Sequence, residues 1–314
     1  MLQKLSSGII LFILILGLFN IIITNDICNA NATNILYVGG TGIGNYTYIQ
    51  EAIDNSSNND TIFVFNGTYS ENLIINKSIN LIGFEKNSTI IHSNGSLYII
   101  LIKSSWVNLT GFTIQNGKVG IYILGVNYSF NNISNNVLTD NWEGIRLYGS
   151  SNNKIYRNIL YGHSNQDIIL YESGKNMLIE NVFFNNKKAI LLNRWSNYNI
   201  ISKNNMTNNY FGISIDSSFN NFVYDNDIIN CTRGIYLTFS KDNNITDNNF
   251  EHNKECGIYL SNADENVISP NSFSNNNQDV KQGSEPPKIK APGFEIILVF
   301  FAILFILISK KLKI

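Results

Sequence analysis

The chain has 314 residues, with 22 Lys and Arg against 23 Asp and Glu and a formal net charge of −1 at pH 7. Charged residues make up only 14% of it and form no basic patch, which excludes an electrostatic nucleic-acid partner. Three His, three Cys and three Met are too few and too scattered to assign a metal ligand set.

Residues 1–32 read as a targeting segment. Lys4 precedes an apolar run, Ile9 to Ile23, of about fifteen residues, the length of a signal h-region and short for a membrane span. Ala30-Asn31-Ala32 has the small-residue form of a cleavage site, so the mature chain would begin near Thr33. Ile35–Val38 is a first strand. The loop from Gly39 to Gly44 lacks both GxGxxG spacing and a P-loop lysine. Thr47 to Gln50 has the form of a capping box, and Ile49, Ala52 and Ile53 make an apolar helical stripe. Irregular strand-like segments follow, among them Asp60–Val64, Glu71–Ile75, Lys77–Gly83, Leu97–Ile102 and Phe112–Ile114.

From Gly120 a unit repeats seven times, with starts about 22–24 residues apart, a period that marks a solenoid. The starts are Gly120, Gly144, Asp167, Ala189, Gly212, Gly234 and Gly257, each followed by Ile. Two residues after that Ile stands a second apolar residue: Ile123, Leu147, Leu170, Leu192, Ile215, Leu237 and Leu260. The residue between them varies, which is the alternation of a strand with one buried face. A second apolar column runs Ile155, Leu178, Ile200, Val223, Ile245, Ile268, and a third Leu160, Phe183, Met206, Ile228, Phe250, Phe273. Asparagines precede both, Asn153, Asn176, Asn221, Asn243 and Asn266 in one set and Asn136, Asn158, Asn181, Asn226, Asn248 and Asn271 in the other. Asn tolerates left-handed backbone and can bond to its copy in the next coil.

This Gly-Ile-x-Leu…Asn-x-Ile…Asn pattern resembles the NosD-like and pectate-lyase-like repeat proteins. The resemblance implies an all-β, single-stranded, right-handed parallel β-helix over 33–277, with irregular coils at 33–119 and regular repeats at 120–277. The spacing predicts three short strands per coil and about ten coils. A short N-terminal helix would cover the open end, where strand edges and core side chains are otherwise exposed.

Residues 278–291 read as a polar linker, containing Glu285-Pro-Pro-Lys. The remaining residues, 292–314, join Pro292-Gly-Phe, an apolar run from Ile296 to Ile308, and Lys310, Lys311 and Lys313. They resemble the PGF-type sorting signal of archaeal surface proteins, which implies export and C-terminal attachment to the membrane directly or through a lipid. Candidate glycosylation sequons include Asn45, Asn66, Asn76, Asn108 and Asn127. Removal of Cys28 with the targeting segment leaves Cys231 and Cys256, about one coil apart, as a candidate disulfide.

Three functional readings compete. A structural, adhesive or glycan-binding rod would use the outward Tyr122, Arg146, Tyr148, Tyr171, Tyr236 and Tyr259, partnered by cell-surface glycan or surface-layer proteins. A polysaccharide lyase, hydrolase or epimerase would use Asp225, Asp247, Asp216 and Arg233, with Ca2+ as its cofactor; otherwise no cofactor is evident. Copper handling, which the NosD resemblance implies, finds no cluster among His92, His163, His252, Met177 and Met206.

Overall fold

The computed structural model describes residues 33–126 and 128–283. The expectations for 1–32, 292–314 and Asn127 lie outside these residues. Three parallel sheets wrap one core. The first has 11 strands, from Ile35–Val38 to Val267–Ile268, which sets about eleven coils. The second and third have 10 each, from Gly67–Ser70 to Ser272–Ser274 and from Leu73–Ile75 to Val280–Gly283. Each strand pairs in parallel with its counterpart one coil away, as Glu143–Tyr148 does with Gln166–Tyr171. The sense is the right-handed one expected of parallel crossovers. The last strand, Val280–Gly283, pairs with Cys256–Ser261, so the solenoid runs past Asn277 into the stretch read as linker. Among the described residues no helix is long and apolar enough to cross a membrane.

The inward columns form one continuous core. One position shifts: Ile201, not Ile200, is fully buried and in register with Leu178 and Val223. The corner before it carries one residue more than its neighbours, so counting from the preceding Ile falls one short. Five of the seven unit starts are glycine, and a Cβ at any of these five would meet the next coil's backbone. At Gly234 it would lie 2.4 Å from the Gly257 carbonyl oxygen, and at Gly212 2.6 Å from that of Gly234.

Asparagine ladders run through all three corners. Between the third and first sheets, the N–H of Asn153 donates to Asn176 Oδ1 at 2.9 Å, and that of Asn176 to Asn199 Oδ1 at 2.9 Å. Between the first and second sheets, Asn158 donates to Asn181 Oδ1 at 3.0 Å and Asn181 to Asn204 Oδ1 at 2.9 Å. Side-chain amides add a return bond, Asn181 Nδ2 to the Ile155 carbonyl at 2.9 Å. A ladder of Ser150, Ser173, Ser196, Ser218 and Ser240 accompanies the first of these. The third ladder, between the second and third sheets, reads Asn141, His163, Asn186, Asn209, Cys231, Asn253.

The corners hold left-handed backbone that inter-coil bonds enforce. Most of these positions are polar, for which the conformation is ordinary. Five are aromatic: Trp106 (φ 62°), Phe130 (φ 61°), Trp195 (φ 57°), Tyr198 (φ 60°) and Phe239 (φ 47°). For a bulky residue the left-handed region costs roughly 1–2 kcal/mol.

The N-terminal helix α1, Ile49–Asn55, buries Ile49, Ala52 and Ile53 as the stripe requires. The capping box does not form. Glu71 from the next coil accepts instead from the N–H groups of Ile49 (2.9 Å) and Gln50 (3.0 Å). At the other end Lys77 Nζ donates to the carbonyls of Ile53 (3.0 Å), Asp54 (2.8 Å) and Ser56 (2.6 Å). Each charge complements its end of the helix.

Two buried titratable groups interrupt this order. His163 Nδ1 accepts from the Asn141 N–H at 3.2 Å, which requires an unprotonated nitrogen, and its Nε2 has no partner. Burial pushes its pKa down to about 4 from 6.5. Asp167 stands at an inward start position with neither carboxyl oxygen hydrogen-bonded, and burial pushes its pKa well above 3.8.

Replacing Asn181 by Ala leaves the Asn158 N–H buried without a partner and removes the side-chain bond to the Ile155 carbonyl, and should cost about 1–3 kcal/mol in denaturant unfolding. The two titratable groups act with opposite sign. The unfolded chain takes up a proton at His163 first, so its share of stability is complete above about pH 6.5. That share is lost as pH falls toward 4, by roughly 3 kcal/mol. Asp167 is neutral when folded and ionises on unfolding, so its share declines as pH rises above 3.8. Melting curves should show Asp167→Ala stabilising increasingly as pH rises above 3.8, and His163→Asn abolishing the acid-side loss.

Candidate functional site

The outer face of the third sheet carries the tyrosines named from the sequence, in two groups. In the first, Arg146 lies over Tyr122 at 5.9 Å and pairs with the buried Glu143 at 2.5 Å. Burial pushes the Tyr122 hydroxyl up. Tyr148 and Tyr171, in register on adjacent strands, stack at 5.1 Å and 11°. Arg194 lies over Tyr171 at 5.1 Å. Tyr148 is 41% exposed, so the part of its ring not stacked on Tyr171 is open to a ligand.

The second group is closed. Phe211, Tyr236 and Tyr259 follow one another at 5.4 Å centroid spacing. The Arg233 guanidinium lies over Tyr259 at 4.1 Å and bonds Glu255 at 2.6 Å, which Lys281 also reaches at 2.9 Å. The bond from Arg233, with Lys281 adding to it, holds Glu255 below the usual carboxylate range. Tyr236 and Tyr259 are only 8% and 9% exposed, so the sugar-stacking faces expected there are not open.

The four candidate catalytic residues do not form one constellation. Asp225 (φ 54°) and Asp247 (φ 56°) are exposed left-handed corner residues between the first and second sheets. They share a column with Arg157 and Glu180, which pair at 2.7 Å. Asp216 ends its third-sheet strand in register with Thr238 and accepts from Ser217 Oγ at 3.0 Å. Arg233 begins the adjacent strand and is committed to Glu255.

Cys231 and Cys256 are buried free thiols. Cys231 occupies a ladder position, whereas Cys256 pairs in register with Arg233, two residues further on, so the sulfurs are not opposed. Burial pushes both thiols up to about 11. Among the sequons, Asn66 and Asn76 are exposed. Asn45 Nδ2 donates to the Gly39 carbonyl at 2.6 Å, and Asn108 Oδ1 accepts from Asn132 at 2.8 Å.

The sequence resembles known proteins in part and in fold. Over 103 residues it is 40% identical to a cell surface glycoprotein of Methanothermus fervidus, covering 31% of this chain and 17% of that protein's length. The tailspike protein 2 of Escherichia coli O157:H7 bacteriophage CAB120 superposes with a TM-score of 0.50 at 14% identity, over 75% of this chain and 36% of that one. A mannuronan C-5 epimerase A-module of Azotobacter vinelandii gives 0.40 at 15% identity, over 76% and 95%. At 14% identity the likeness to the tailspike protein is one of fold alone. The model of the family described as "Periplasmic copper-binding protein (NosD)" matches residues 53–231 and 196–288.

The side chains do not fit copper. His92 ends a second-sheet strand, His163 is spent in a ladder, and His252 sits at an exposed turn 3.2 Å from Glu251. Met206 is core and Met177 faces outward. Among the described residues no three His, Cys, Asp or Glu stand together as a metal would require. Copper titration of the full chain against a competing chelator should therefore give no binding tighter than about micromolar. Matched by that model over most of its length, the chain belongs to the NosD family.

Proposed function

We propose that this protein is an exported rod at the cell surface, held at its C-terminal end, with a structural or adhesive task exercised through contact with surface glycan. The open stack of Tyr148 and Tyr171 with Arg194 above it carries this reading. Flat rings with a cation beside them suit sugar rings, whose faces are apolar and whose edges are hydroxylated. The identity shared with a cell surface glycoprotein and the NosD family's periplasmic description support export. The exposed Asn66 and Asn76 are the sequons best placed to carry glycan. The Pro292-Gly-Phe tail supplies the attachment, and surface-layer proteins are the neighbours such a rod would meet.

The competing reading is a carbohydrate-active enzyme of the lyase, hydrolase or epimerase type, with Ca2+ near Asp225 and Asp247. Incubating the full chain with polysaccharides in the presence of Ca2+ separates the two. The rod reading expects retention on polysaccharide without release of unsaturated or reducing ends and without change at C-5 of its uronate units. Turnover that disappears in an Asp225→Asn, Asp247→Asn double variant would overturn it.

A further inference from the structure

The five left-handed aromatic residues share one corner. Trp106, Phe130, Trp195, Tyr198 and Phe239 all lie between the third and first sheets. Among the described residues, no Phe, Tyr or Trp takes this conformation in either other corner. All five are exposed, by 65%, 50%, 66%, 53% and 46% in that order. Exposed aromatics elsewhere, such as Trp142 and Tyr210, stand on backbone without this strain. The conformation is imposed by neighbouring coils: the N–H groups of Trp106, Phe130, Trp195, Tyr198 and Phe239 donate to the carbonyls of Ser129, Asn152, Ser217, Phe219 and Ser261. Asn, Gly or Asp occupies equivalent places without strain. An aromatic here is thus neither demanded by the backbone nor buried for stability, and such an outlier points to function.

Together with the Tyr148–Tyr171 stack, which ends two third-sheet strands beside this corner, these residues supply aromatic surface in successive coils. Trp106 stacks on Phe130 at 4.6 Å and 13°, and Tyr148 on Tyr171 at 5.1 Å. Arg194, over Tyr171, leads into Trp195 and Tyr198. The path ends in a cleft walled by Phe219 and Phe239 and rimmed by Lys241, Asn262, Asp264 and Glu265. Coils rise ~4.8 Å each, close to the length of one pyranose ring.

We propose that this corner is a track for an extended polysaccharide lying along the rod axis, with about one sugar ring over each aromatic coil and a ring held in the Phe219–Phe239 cleft. Lys241 and Asp264 at the rim would bond ring hydroxyls there. The proposal rests on the glycan-contacting reading above and assigns it a site.

The test uses the full chain in mild detergent, sedimented with insoluble cellulose, chitin and Ca2+-crosslinked polygalacturonate. Trp106→Asn, Trp195→Asn and Phe239→Asn, alone and combined, are compared with Tyr148→Ala and with Trp142→Ala, which lies off the track. Asn suits the left-handed backbone, so the three corner variants should melt no lower than the parent. The track expects retention on at least one polymer, a loss of at least tenfold in the triple corner variant, and none in Trp142→Ala. Loss in Tyr148→Ala alone, with the triple variant still retained, overturns the track and leaves the glycan reading standing. No retention on any polymer removes both. If the triple variant instead abolishes self-association in sedimentation velocity, with retention unchanged, the corner is a contact between copies of the chain and the proposal fails.

Discussion

The buried backbone N–H at each corner is the constraint on which the rest of the structure depends. A coil must turn three times, and each turn leaves amide groups inside that no strand can pair. Asparagine solves this because one side chain accepts from the coil before and donates to a carbonyl there, as Asn181 does for Asn158 and Ile155. Once the corners are satisfied, three-residue strands suffice, and inward positions need only be apolar and of suitable size. The same geometry fixes the outer surface, because it decides which residues stand on left-handed backbone.

The repeat, its inward columns and two of the ladders were legible in the sequence, since each is a recurrence at fixed spacing. The third ladder was not: His163 and Cys231 break it, although Asn141, Asn186, Asn209, Asn253 and Asn276 kept the spacing. Ile201 was misplaced because the Arg194–Trp195 corner holds an extra residue. The capping of α1 was invisible, because Glu71 and Lys77 act from a coil away. Local sequence suggested Thr47 and Gln50, yet a carboxylate reaching two amides at once took the place.

The candidate site was legible only as a list of outward residues. Alternation identifies which side chains leave the core, but it does not say which are then covered. Tyr236 and Tyr259 point outward and are still buried, with the Arg233–Glu255–Lys281 network against them. Asp225 and Asp247 share a column because they share a backbone conformation, which is a reason of turn chemistry. Trp106, Trp195 and Phe239 are the reverse case, since their residue type runs against their backbone. Only the dihedral angles expose that conflict.

The ladders also give the rod a mechanical character. Coils joined end to end carry an axial load in series, so the whole is no stronger than its weakest junction. At most rungs an asparagine ties its coil to the one before through a side-chain amide. At His163 the corresponding ring nitrogen holds nothing, and at Cys231 the thiol reaches the Met206 carbonyl only at 3.8 Å. At these two rungs an axial load would find fewer side-chain ties between coils than at the asparagine rungs of the same corner.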